Sequence, residues 1–192
     1  MFKWASTKRL ATYRPVCILA ITAGILLLCQ GSILAGSGST STVEYRVKAA
    51  FLYNFTKFVE WPANGIKKGQ PFRIGIVGEN SFGDEINGLA GRAVGNRSLT
   101  IEHHQSWNDR AAECEILFIS GSQEKKLSEI IRRLDGNPVL TIGDTAGYAS
   151  RGVMINFFME DNKVRFEINP KQANRAGLKI SSRLLKLASI LE

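Results

Sequence analysis

The chain has 192 residues, of which 44% are hydrophobic and 22% charged, a globular balance that excludes a disordered protein. It has only two histidines and three cysteines, which argues against zinc clusters, a disulfide scaffold and most histidine-based catalysis. The net charge of +8 raises the question of nucleic-acid binding, so the positions of the charges matter.

The first 35 residues have the pattern of a secretory signal peptide. Four basic residues precede the apolar run Val16–Leu28, and the next charged side chain is Glu44. A basic start, a short apolar run and a small residue, Ala35, at the cleavage point are typical of such a signal.

Two alternatives remain open for this segment. The uncharged stretch Val16–Leu34 is close to the length that spans a bilayer and could be an uncleaved anchor. Cys29 could instead carry a lipid, although Leu28 before it is not the small residue expected there. All three interpretations place the rest of the chain outside the cytoplasm, and we expect a periplasmic protein.

Removal of residues 1–35 changes the charge. It deletes four basic and no acidic residues, which leaves 21 basic against 17 acidic residues, or +4. Cys114 is then the single cysteine, so the mature chain forms no intrachain disulfide. We expect residues 36–42 to be a flexible lead-in and residues 43–192 to form one domain stabilised by its core.

A helix is predicted from Val43, because apolar residues recur there at three- and four-residue steps. Trp61-Pro62 ends it near Glu60. Short strands then alternate with helical segments. In chain order they are strand Phe72–Val77, helix Ser81–Leu89, strand Ser98–Glu102, turn Asn108–Glu113, strand Glu115–Ser120, helix Glu124–Leu134 and strand Val139–Ile142.

The last third of the chain predicts a hairpin. The β-rich runs Gly152–Met159 and Lys163–Ile168 flank the turn residues Glu160-Asp161-Asn162. A helical turn over Lys171–Ala176 and an amphipathic helix over Ser181–Leu191 follow. The sequence therefore predicts an α/β fold: a three-layer Rossmann-like domain whose mainly parallel sheet has an antiparallel hairpin near the C-terminus.

Residues that could carry chemistry are few. Gly75–Gly78 is not a phosphate-loop motif, and no serine lies in a nucleophile elbow. The adjacent His103 and His104 point to opposite faces of a strand, so they do not form a standard metal pair. We therefore predict no catalytic residue, no metal site and no cofactor.

Four residues are candidates for contact with a partner or ligand. Trp61 next to Pro62 either seals the core or edges a binding surface. Glu167 and Asn169 share the polar face of a strand and, with Arg175, form either a ligand-facing strip or plain solvent-exposed surface. The basic residues are scattered and the expected location is extracytoplasmic, so we predict no nucleic-acid partner.

Six segments, in the same order along the chain, resemble the YfiR family of periplasmic proteins (the DUF4154 group). Together they extend from about Val43 to Leu191. They are Lys48–Pro62, Ile74–Gly78, Leu140–Asp144, Gly152–Phe157, Val164–Asn169 and Gly177–Ala188.

The resemblance implies a non-catalytic regulator, often a homodimer. Such proteins bind and repress an inner-membrane diguanylate cyclase through its periplasmic sensory region, and an OmpA-like outer-membrane lipoprotein sequesters them. Their output is cyclic di-GMP signalling and biofilm formation. Some members carry disulfides, but here no cysteine lies between Asp144 and Gly152, which makes redox control through an intrachain disulfide doubtful.

A second hypothesis, from another class, is a periplasmic small-molecule-binding protein that serves a sensor kinase or a transporter.

Overall fold

The computed structural model describes residues 37–65 and 69–191. The predicted signal peptide, with its two alternatives, lies outside the described residues. The α-helices are α1 (Ser37–Phe58), α2 (Leu127–Arg133), α3 (Pro170–Arg175) and α4 (Ser182–Leu185). Shorter 3-10 helices occupy Ala63–Gly65, Gly83–Leu89, Asp109–Glu113, Gly121–Lys126 and Ala149–Arg151. The described residues from Ser39 onward group as one compact unit, and every contact described below lies within it.

Within the described residues, ten strands alternate with these helices. They are β1 (Val59–Glu60), β2 (Phe72–Val77), β3 (Ala93–Val94), β4 (Arg97–His104), β5 (Ile116–Ile119), β6 (Leu140–Gly143), β7 (Ile155–Glu160), β8 (Lys163–Ile168), β9 (Lys179–Ile180) and β10 (Ser189–Ile190). Eight of them form one sheet in the order β10-β8-β7-β6-β5-β2-β4-β3, and β1 pairs separately with β9.

The sheet is mainly parallel. Strands β4, β2, β5, β6 and β7 run parallel to one another, β3 is antiparallel to β4, and β7 and β8 form the predicted antiparallel hairpin. Its turn residues Asp161 and Asn162 both have positive φ, as a two-residue type I′ turn requires. The predicted α/β fold with this hairpin is confirmed.

Helical layers cover both faces of the sheet. Strand β5 shows this best, because its four residues are all buried and alternate between two clusters. Ile116 and Phe118 pack in the cluster under α1, whereas Leu117 and Ile119 pack in the cluster under α2. An all-apolar strand is typical of a sheet that is covered on both faces.

Helix α1 differs from the prediction in its first residue and in the face that it turns towards the core. It begins at Ser37, within the predicted lead-in, and ends at Phe58, where Val59 and Glu60 pair with β9. Its buried face carries Ala49, Leu52 and Phe55. Other residues of the recurring set that predicted the helix, including Val43, Val47 and Ala50, are exposed.

The predicted C-terminal helix Ser181–Leu191 is wrong. Only Ser182–Leu185 is helical, with Leu184 buried and Leu187 68% exposed. Ser189 and Ile190 instead pair in parallel with Glu167 and Ile168 of β8. The backbone groups at the edge of β8 thus gain partners, and this tertiary pairing outweighs the local helical pattern.

Candidate functional site

A buried ion-pair cluster joins α1 to the end of β6. The Lys48 ammonium donates to Asp144 at 2.7 Å and pairs with Glu44 at 2.5 Å. The Tyr45 hydroxyl donates to the same Asp144 oxygen at 2.8 Å. Asp144 follows a parallel strand, the position at which α/β folds place functional residues, but here its carboxylate is engaged within the chain.

The titration of this cluster follows from its surroundings. Burial raises the pKa of Tyr45, because phenolate is poorly solvated there, and the neighbouring Asp144 acts in the same direction. Burial opposes the charge of Lys48, but the hydrogen bonds to Asp144 and Glu44 outweigh it and raise the Lys48 pKa. Both groups therefore stay protonated at neutral pH, so both can donate hydrogen bonds to Asp144.

A second buried charge lies where β5 begins. Glu115 pairs with the Arg97 guanidinium and accepts a hydrogen bond from the Arg73 main chain at 2.8 Å. Trp61 is placed beside it: its indole donates to the Glu115 carbonyl at 3.2 Å and packs edge-on against Phe72. These contacts attach Trp61 to the core while leaving it partly exposed.

The other three predicted site residues lie elsewhere. The Glu167 carboxylate accepts from the buried Asn156 amide at 3.0 Å. The Asn169 amide donates to the Ala149 carbonyl at 3.0 Å, and its oxygen accepts from the Gln172 main chain and caps α3. Arg175 is exposed on α3. The contacts of Trp61 thus involve a different part of the fold from those of Glu167 and Asn169.

Arg175 borders a small cavity between α2 and α3. Its volume is about 20 Å³. A cavity of this size holds about one water molecule, whereas small-ligand sites have about 300–1,000 Å³. This cavity is therefore too small for a metabolite.

A group of metal-ligating side chains lies on the α2 side of the sheet. The ligand atoms of Glu102, His104 and Cys114 all lie within 4.8 Å of one another. His104 Nε2 is buried and makes no hydrogen bond within the described part of the chain. Burial lowers the pKa of His104, which favours the neutral imidazole.

An outer stripe of α1 is a candidate surface that the sequence pattern did not predict. It consists of Val43, Val47, Ala50 and Asn54, which are all exposed and follow one another at helical spacing. Val43 is 55% and Val47 38% exposed. The signal was present as a second apolar face beside the buried one, but the pattern does not tell which face meets the core.

Within residues 37–65 and 69–191, no helix has the length and hydrophobicity needed to cross a bilayer.

The comparison with protein families gives one clear result. The model of the family described as YfiR/HmsC-like (DUF4154) matches residues 45–189, which is most of the chain and nearly all of its described part. Such a match indicates a periplasmic regulator of diguanylate cyclase signalling. The alternating strands and helices, the hairpin and this continuous match lead to one conclusion: the chain belongs to the YfiR/HmsC-like family.

Proposed function

We propose that the chain is a non-catalytic periplasmic regulator that binds and represses a membrane-bound diguanylate cyclase. It thereby lowers cyclic di-GMP and limits biofilm formation. The observation that carries this proposal is the family match over residues 45–189. An OmpA-like outer-membrane lipoprotein is the proposed sequestering partner, and the regulator acts as a homodimer.

Repression by binding has a simple energetic condition. The regulator shifts the cyclase only by the difference between its affinities for the inactive and active states. A tenfold preference for the inactive state corresponds to about 1.4 kcal/mol. Such a difference needs a contact surface and no reacting groups.

The internal pairing of the buried charges supports a binding role. Lys48 pairs with Glu44 and Asp144, and Glu115 pairs with Arg97. These groups neutralise one another and fix the fold, so they are poorly placed to transfer protons to a substrate. The groups at the surface are the ones available to a partner.

The outer stripe of α1 is the proposed centre of the contact surface. Val43 and Val47 are one helical turn apart, so their side chains form a continuous apolar strip. Exposed apolar side chains grouped on one helix face are typical of a surface that a partner covers. We also propose that Trp61, Glu167 and Arg175 contact a partner or ligand, and that the buried Asn169 serves the same site by holding the start of α3, which carries Arg175.

Binding of the purified regulator to the periplasmic region of the cyclase tests the function. We expect saturable one-to-one binding in a calorimetric titration. For the site, Arg175→Ala is compared with Lys171→Ala, because both residues are exposed cations on α3. The first should weaken binding several-fold and the second should not. Absence of any binding by wild type contradicts the function, and equal effects contradict the role of Arg175.

A further inference from the structure

We infer that Glu102, His104 and Cys114 form a binding site for a single zinc ion. The inference is independent of the proposed regulator function, and it revises the expectation from the sequence that the chain has no metal site. That expectation rested on His103 and His104 as a pair, and these two side chains point to opposite faces of β4.

The topology brings the three ligands together. Glu102 and His104 are two residues apart on β4, so their side chains share one face of the sheet. On the neighbouring β2 they lie opposite Gly75 and Val77. Cys114 comes just before β5, which pairs with the other side of β2. The thiol therefore reaches the two β4 side chains across the surface of β2.

Gly75 makes room for this approach. A Cβ atom at this position would lie 2.8 Å from Cys114 Sγ and 2.9 Å from Leu117. Because glycine has none, the thiol lies directly over the β2 backbone. Gly75 is buried and belongs to a regular strand. The absence of a side chain at this position therefore leaves the space that the Cys114 thiol occupies.

The buried side chain of His104 gives a second, independent indication that an ion binds here. Its side chain is only 8% exposed, yet its Nε2 makes no hydrogen bond within the described residues. Glu102 Oε2 is 3.6 Å away, beyond hydrogen-bond reach. A buried polar atom without a partner is costly, and an ion between the two side chains would satisfy both.

The surroundings can adapt to the ion. Zinc bonds of about 2.0–2.3 Å require the ligand atoms to approach by about 1 Å. When Nε2 of His104 binds the ion, Nδ1 carries the ring proton and needs a hydrogen-bond acceptor. Asn108, whose Nδ2 lies 3.2 Å from Nδ1, must then turn its side-chain amide so that the oxygen faces Nδ1. This rotation gives up the capping bond that the Asn108 side-chain oxygen accepts from the Ala111 main-chain N–H at 3.2 Å, but the same N–H keeps its bond to the Asn108 carbonyl at 3.0 Å.

The donor set indicates zinc. A thiolate, an imidazole and a carboxylate are all zinc ligands, and three protein ligands leave the fourth position to water. On binding, the Cys114 thiol releases its proton to solvent as the sulfur–zinc bond forms. Arg73 holds the other Glu102 oxygen at 3.4 Å. Arg110, 3.9 Å from the ligand oxygen, is 78% exposed and can move away.

Metal titration of the protein purified from the periplasm, stripped of metal and kept reduced, tests the site. We expect one Zn²⁺ per chain, and with Co²⁺ a thiolate-to-metal charge-transfer band. Outer-shell changes typically cost 10–100-fold in metal affinity, so loss of a ligand in His104→Gln or Cys114→Ala should cost at least about 100-fold. Arg110→Gln should raise affinity several-fold, because it removes a like charge.

His103→Gln is the matched control, since it removes the other histidine of the chain from the opposite face of β4. It should leave the affinity unchanged. Thermal melting without metal checks that each variant folds, and added Zn²⁺ should raise the melting temperature of wild type but not of His104→Gln. Unchanged affinity in His104→Gln, equal loss in His103→Gln, or no thiolate band would overturn the inference.

Discussion

Asp144 is one of the residues that attach α1 to the sheet. It accepts hydrogen bonds from Tyr45 and Lys48, which are separated from it by almost 100 positions in the sequence. Both partners have a pKa above the ordinary value. A group whose pKa is raised by folding stabilises the fold fully below its unfolded pKa and less as the pH rises through the folded value.

This predicts alkaline sensitivity that Tyr45→Phe should reduce. At neutral pH the substitution loses the hydrogen bond to Asp144 and should lower the free energy of unfolding by about 1 kcal/mol. Above about pH 10 unfolded tyrosine ionises, so wild type loses a contribution that the variant never had. In urea unfolding between about pH 8 and 11, the two stabilities should converge; a constant difference would contradict this account.

At the scale of elements, α1 has two apolar faces with different roles. The inner face packs Leu52 and Phe55 against the sheet, while the outer stripe presents Val43 and Val47 to solvent. The ion pair between Arg46 and Glu85 beside the stripe, at 2.9 Å, ties the helix to the segment after β2. The orientation of the stripe is therefore fixed by contacts on the other sides of the helix.

The double substitution Val43→Glu and Val47→Glu should therefore weaken cyclase binding while leaving the fold intact. Burial of two carboxylates in an apolar contact is unfavourable, and we expect a loss of about tenfold or more in affinity. Met159→Glu is the control, because Met159 is 45% exposed on β7 and undergoes the same kind of change. Equal losses in both variants, or none in the double variant, would rule out the outer stripe as the contact.

At the scale of the whole molecule, the sequence predicted the features that depend on residues close to one another in the chain. The apolar run of β5 required cover on both faces, and Asp161-Asn162 marked the hairpin turn. Features that depend on distant partners were not predictable. The pairing of β10 with β8 and the ion pair between Lys48 and Asp144 each depend on the folded arrangement.

The candidate sites likewise combine residues that the sequence singles out with contacts that only the folded structure provides. The sequence singles out Trp61 by its position at a helix end and Asn169 by its position on the polar face of a strand, but only the structure gives their contacts with Glu115 and Ala149. The group combines Glu102 and His104 of β4 with Cys114, which lies just before β5, and β2 separates β4 from β5 in the sheet. Spacing along the sequence does not reveal such a group.

The synthesis rate of cyclic di-GMP tests the central claim most directly. The membrane-bound cyclase is reconstituted in vesicles with its periplasmic region accessible, and the regulator is added at increasing concentration. We predict that the rate falls along a saturable curve with the midpoint of the binding titration, and that the Val43→Glu/Val47→Glu variant shifts this curve to higher concentration. A synthesis rate that stays constant while the regulator is bound would contradict the account.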